Sequence, residues 1–109
     1  MSDHAGGTSQ ELGQAYFLDL LGDAYNGLGR YDEAIVALCE AAEAFTQHGA
    51  QCAHAVCLFK IAQSHLAMAQ GEQAIRYLEQ CLPIFRELQL PEHEEEALRA
   101  LDGCRATIG

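Results

Sequence analysis

Residues 15–35 read AYFLDLLGDAYNGLGRYDEAI, and residues 55–75, forty positions later, read AVCLFKIAQSHLAMAQGEQAI. Laid over each other, Ala15, Leu18, Ala34 and Ile35 fall on Ala55, Leu58, Ala74 and Ile75. Leu21 falls on Ile61, Gly22 on Ala62, Ala24 on Ser64 and Leu28 on Met68. Further along, Leu38 and Phe45 meet Leu78 and Phe85 in the same register. Apolar and small positions agree while the polar ones vary, which is how a repeat held together by packing behaves.

Within each copy the apolar residues recur at spacings of three and four, the period of an amphipathic helix. The spacing predicts a first helix from about Ser9, its N-cap, to Leu28, with Leu18, Leu21, Ala24, Tyr25 and Leu28 on one stripe. Gly29 stops it in the left-handed conformation. Asp32 caps a second helix whose stripe is Ala34, Leu38, Ala41 and Phe45, closed by Gly49. A third helix runs from about Gln51 to Gln70, with Gly71 as its terminator. The fourth carries Ala74, Leu78, Cys81 and Phe85, and Pro83 inside it predicts a kink. Pro91 suits the first turn of a fifth helix, where Leu98 and Leu101 continue the register of Leu58 and Ile61. The expectation is an all-α solenoid of antiparallel helix pairs. A flexible leader covers residues 1–8 and the helical domain residues 9–109. The first repeat spans about 9–49, the second about 51–89, and the terminal helix about 91–107. The core is expected at Leu21, Ala34, Leu38, Phe45, Ile61, Ala74, Leu78 and Phe85, with small residues such as Gly22 and Ala34 admitting the neighbouring helix.

Composition narrows the function. The chain has 109 residues, one domain's worth, half of them apolar, which suffices for one core. Sixteen acidic against six basic residues leave a formal charge of −10. Such a chain repels phosphate backbones, which speaks against direct nucleic-acid binding. Its apolar runs are far shorter than a membrane span, and it has no basic amphipathic stretch for a membrane surface. The five cysteines, Cys39, Cys52, Cys57, Cys81 and Cys104, are odd in number with no C-x-x-C pair. They read as reduced, small core residues of a cytoplasmic protein.

Chemistry-bearing constellations are thin. His48, Cys52, His54 and Cys57 form the densest soft-ligand group, but zinc wants four ligands converging, and these spacings spread over a helix. No metal or cofactor is expected. Cys57 and His54 lack an oxyanion hole or a third orienting group, so no catalytic role is expected either. The run Glu92-His93-Glu94-Glu95-Glu96 fits the start of a helix, where the dipole favours negative charge; an acidic docking patch is the alternative.

Leu18-x-x-Leu21-Gly22-x-x-Tyr25 followed by Leu28-Gly29-Arg30-Tyr31-Asp32-Glu33-Ala34-Ile35 resembles the tetratricopeptide repeat signature. The second copy matches less closely, with Ala62 for Gly and His65 for Tyr. The resemblance covers roughly Glu11 to Cys104. The forty-residue period exceeds the family's usual 34, and the proline that normally ends the second helix is missing. Longer periods are similar to those in bacterial regulatory and signalling proteins. The resemblance implies a protein-binding scaffold for a protein or peptide ligand, with no enzymatic activity. It places a groove along the first helix of each pair: Tyr16, Asp19, Asp23 and Asn26, then Phe59, Lys60, Gln63 and Leu66, then Arg99. Family members that clamp a chaperone's C-terminal carboxylate use Lys and Asn at such positions. Asp19 and Asp23 would repel that group and favour a basic ligand. The unpaired fifth helix, with Leu98 and Leu101 partly exposed, suggests self-association as the alternative role.

Overall fold

In the computed structural model, the backbone of residues 3–108 and the side chains of residues 10–107 are described. Five helices follow one another: α1 (Asp3–Gly27), α2 (Tyr31–Gln47), α3 (Gln51–Ala67), α4 (Gly71–Glu87) and α5 (Pro91–Ile108). Each packs on its neighbours in the chain. The molecule measures 54 × 32 × 18 Å. Since a helix with its side chains is about 10–12 Å across, the short axis admits two layers.

The four joints are copies of one turn. Each helix ends on a residue with positive φ: Gly29 at 77°, Gly49 at 71°, Ala69 at 59° and Gln89 at 58°. The next amide then bonds back to a carbonyl five residues earlier: Arg30 to Tyr25, Ala50 to Phe45, Gln70 to His65 and Leu90 to Phe85, all at 2.8–2.9 Å. This is the longer of the two hydrogen bonds of a Schellman ending. The carbonyls of the same four residues accept from the first turn of the following helix, at Ala34, His54, Ala74 and Glu94. One residue therefore closes one helix and opens the next.

Several expected helix ends move. Gly71 is the first residue of α4, and α3 ends at Ala67 with Ala69 holding the left-handed position. The packed joint holds that conformation without glycine, at the usual steric cost to an L-residue. Arg30, with no side-chain cap bond, stands at the N-cap of α2, so Asp32 sits in the first turn beside Glu33, where both complement the helix dipole. Helix α1 begins at Asp3, ahead of Ser9, because extending a formed helix costs far less than nucleating one. Met1 and Ser2, at the start of the expected leader, lie outside the described residues. Leu28 falls beyond α1 and is exposed. Helix α4 runs on through Pro83, which sits on its exposed side.

The core lies between the layers. Ala34, Leu38, Phe45, Ile61, Ala74, Leu78 and Phe85 are buried as the repeat predicts. Leu21 is only half-buried, although its counterpart Ile61 is fully so. Ile61 lies in the middle of the stack, whereas Leu21 lies on its first helix. Cys57, Cys81 and Cys104 are buried, Cys39 is half-buried and Cys52 is exposed; all five are free thiols. Leu101 is buried, and Leu98 alone of its pair is exposed.

Candidate functional site

Asp19, Asp23 and Asn26 stand four and three residues apart on α1, which puts them on one face. On α3, Cys57, Lys60 and Ser64 share a face by the same spacing. The two faces meet. Lys60 Nζ donates to Asp19 Oδ1 at 2.9 Å and to Asp23 Oδ2 at 3.1 Å. One turn along, the Ser64 hydroxyl donates to Asn26 Oδ1 at 2.7 Å, with the Lys60 carbonyl at 3.1 Å as a second acceptor. The Cys57 thiol lies 3.7 Å from Asp19 Oδ1. Asp19 and Lys60 are mostly covered, while Asp23 is nearly half exposed.

The electrostatics follow from this geometry. Burial alone would lower the Lys60 pKa, but the hydrogen bonds and charges of Asp19 and Asp23 outweigh it and leave the ammonium favoured. Burial, reinforced by the negative charge of Asp19, pushes the Cys57 thiol up to about 12. A thiol held protonated in this way is no nucleophile at neutral pH. Two carboxylates against one ammonium leave the cluster with a net charge of 1 − 2 = −1. The patch stays acidic, but part of its field is spent internally.

The other groove positions are more dispersed. Tyr16 is half exposed and packs edge-on against the Phe45 ring of α2, with centroids 4.9 Å apart. Phe59 is half-buried against the core, and Gln63 is exposed. Leu66 borders a small cleft with Gly103 and Cys104 of α5. Arg99 is exposed on α5 and faces Glu95 of its own helix at 3.7 Å. The structure thus joins Asp19, Asp23 and Lys60 into one cluster, with Asn26 beside it, and sets Arg99 apart. Ser64 and Cys57 belong to the joint, although the sequence had offered Cys57 as a core or soft-ligand residue and Ser64 only as a repeat position; the i, i+4 spacing of Lys60 and Ser64 was the available signal.

A second concavity, about 350 Å³, opens between α1 and α2. Leu18, Leu21, Tyr25, Val36 and Ala37 make its apolar wall, and Asp32, Glu33 and Glu40 bring carboxylates to it. Arg30 already engages Glu33 through a two-pronged contact and lies over the Tyr25 ring.

The soft-ligand group diverges. His54 Nδ1 lies 2.9 Å from the Ala42 carbonyl and 2.7 Å from Thr46 Oγ1. Both partners lie on α2, so the ring is turned toward that helix. His48 Nε2 faces Glu11 on α1, and Cys57 faces Asp19. Among the described residues, no three His, Cys, Asp or Glu side chains converge as metal ligands. No helix among them is long and apolar enough to cross a membrane.

Comparison with known proteins agrees with this architecture. Residues 13–87 match the sequence profile of the tetratricopeptide repeat. The regulatory protein AfsR of Streptomyces griseus is 32% identical over 94 residues, which is 86% of this chain. The chain spans 10% of that protein's length.

Proposed function

We propose that this chain, which belongs to the tetratricopeptide repeat family, is a protein-binding scaffold whose ligand docks along the face shared by α1 and α3. Repeats of this family are typically non-catalytic interaction modules. The likeness to a bacterial regulatory protein supports a role within such a regulator, and the five free thiols fit the reducing cytoplasm as its setting. The observation that carries the reading is the Asp19–Lys60–Asp23 cluster. It is a charged joint between two helices, it is partly exposed, and it keeps a net negative charge. A peptide with Lys or Arg beside apolar anchors fits it, because complementary charge speeds encounter and like charge is rejected. Half-exposed Tyr16 supplies an anchoring ring on the same helix. The formal charge of −10 disfavours nucleic acid as the ligand.

The test begins with affinity capture and mass spectrometry, followed by calorimetry on the purified partner. Affinity should fall as salt rises, since exposed charges are screened beyond roughly 10 Å at 0.1 M ionic strength. Charge reversal belongs at Asp23, because the more covered Asp19 holds Lys60 in place. Asp23→Lys should slow association with an unchanged circular-dichroism spectrum. A partner whose affinity ignores both salt and Asp23→Lys would place the contact surface elsewhere.

A further inference from the structure

We infer that the cleft between α3 and α5 receives a tyrosine side chain of the protein ligand. This contact presupposes the ligand face proposed above and lies one joint further along the stack. The cleft measures about 310 Å³ and is lined by Leu66, Ala69, Gly71, Gly103, Cys104 and Thr107. That is the lower end of the range for ligand pockets, about 300–1,000 Å³. The forty-residue register explains why it is there. In the joint of α1 and α3, the Ser64 hydroxyl donates to Asn26 at 2.7 Å, and half-buried Tyr31 is the first residue of α2. In the joint of α3 and α5, Cys104 and Leu66 hold the positions of that hydrogen-bonded pair. Gly71, the first residue of α4, holds the position of Tyr31 and brings no side chain. The second joint thus lacks a ring that the first one has.

The opposite wall is open too. A Cβ at Gly103 would meet nothing within 4 Å, so packing inside the chain does not require glycine there. A helix following α5 would not close the cleft. Where α4 follows α3, the counterpart residues Gly29, Gln63 and Ala67 all remain exposed.

The lining and its surroundings select the occupant. No charged side chain lines the cleft, and the Thr107 hydroxyl already donates to the Gly103 carbonyl at 2.9 Å. An apolar body therefore suits it better than a charged one. A tyrosine has such a body and a hydroxyl that can stay in water at the mouth. The charged end of the ligand is fixed by the Asp19–Lys60–Asp23 joint, whose net negative charge calls for Lys or Arg. Lys60 and Leu66 are six residues apart on α3. The two sites are therefore offset by roughly 9 Å along the helix and by one interhelical step of about 8–10 Å across it. The diagonal is roughly 13 Å, which four residues of extended chain span at about 3.3 Å each. A peptide with Lys or Arg four positions from Tyr reaches both sites at once.

Amide NMR of the isotope-labelled chain tests the cleft with p-cresol, the tyrosine side chain as a free molecule. Saturable shifts at millimolar cresol are expected for the amides of Gly71, Gly103 and Thr107. Gly71→Tyr should abolish them with the helical circular-dichroism signal intact, since Gly71 lies outside the left-handed region. Gly103→Leu, which fills the cleft from α5, should do the same. Absence of these shifts in the parent chain, or shifts unchanged in both variants, overturns the proposal. The pentapeptide Ac-Lys-Ala-Ala-Ala-Tyr-NH2, or its isomer of reversed sequence, should bind more tightly than the analogue with Ala for Lys. The difference should be roughly threefold at low ionic strength, and Asp23→Lys should erase it. Cresol binding with equal affinities for the two peptides overturns the ligand face on α1 and α3 and not the cleft. Peptide discrimination without cresol shifts overturns the cleft and not the face.

Discussion

Gly22→Ala tests whether the close contact of α1 and α2 is as tight as the structure shows. A Cβ placed on Gly22 would stand 2.5 Å from Leu38 Cγ and 2.6 Å from Leu38 Cδ2. Carbon atoms in contact prefer about 3.5–4.0 Å, so one of the partners must retreat by roughly 1 Å. Leu38 is fully buried, so its side chain can give way only by displacing its neighbours, and otherwise α1 must move. Overpacking of this kind costs roughly 1–3 kcal/mol. Replacing a mid-helix glycine by alanine returns about 1 kcal/mol. The alanine at the equivalent position, Ala62, shows that a helix pair of this kind can accommodate the methyl group. The net loss should therefore be about 1 kcal/mol, with a melting temperature lower by roughly 4–8 °C. Gly103→Ala is the control: it lies within α5, and a Cβ there meets nothing within 4 Å. It should gain stability while Gly22→Ala loses it, in parallel urea and thermal melts. If both variants melt above the parent chain, Gly22 does not set the helix spacing.

Phe45→Ala should cost roughly 3–5 kcal/mol in urea unfolding, because the ring is fully buried and carries Tyr16 on its face; a loss below about 1 kcal/mol would make it peripheral. Iodoacetamide on the native protein should modify Cys52 first and spare Cys57 and Cys81, read by peptide mass; early labelling of the buried pair would contradict the packing. Burial raises both of these thiols from 9.0 to about 12, so the folded state holds their protons more tightly than the unfolded chain. Their contribution is complete below pH 9.0 and erodes as pH rises toward 12. The urea midpoint should fall over that window, and less so in a Cys57→Ala, Cys81→Ala double variant; equal slopes would refute the assignment.

The apolar periodicity was enough to read the helix count, the pairing and the buried positions, because each copy of the repeat constrains the other. It misjudged Leu21, whose apolarity matches Ile61 but whose place on the first helix leaves one side open. It also took Gly71 for a helix terminator. Left-handed residues attract glycine in isolation, but here the packed turn imposes that geometry on Ala69 and Gln89. The groove residues were assigned through the family resemblance, one helix at a time. What the sequence did not reveal was that Lys60 reaches across to Asp19 and Asp23. That contact depends on which sides of α1 and α3 meet, and helical period carries no information about partners between helices. The exposure of Phe17 and Leu20 was hidden for a related reason, since a buried apolar stripe and an exposed one have the same spacing.

Lys60 is the single lysine of the chain. Its ammonium is clasped by two carboxylates, so it is both the one side-chain amine available to acylating reagents and a poorly nucleophilic one. Amine chemistry on the folded molecule is thereby confined to the chain's α-amino group and this joint. Any agent that does modify Lys60 removes the cation that holds Asp19 and Asp23 side by side. Asp19 and Asp23 would then face α3 without a cation between them, leaving the Ser64–Asn26 hydrogen bond as the polar link of the joint, and the rate of acylation reads how often the ammonium leaves its two carboxylates.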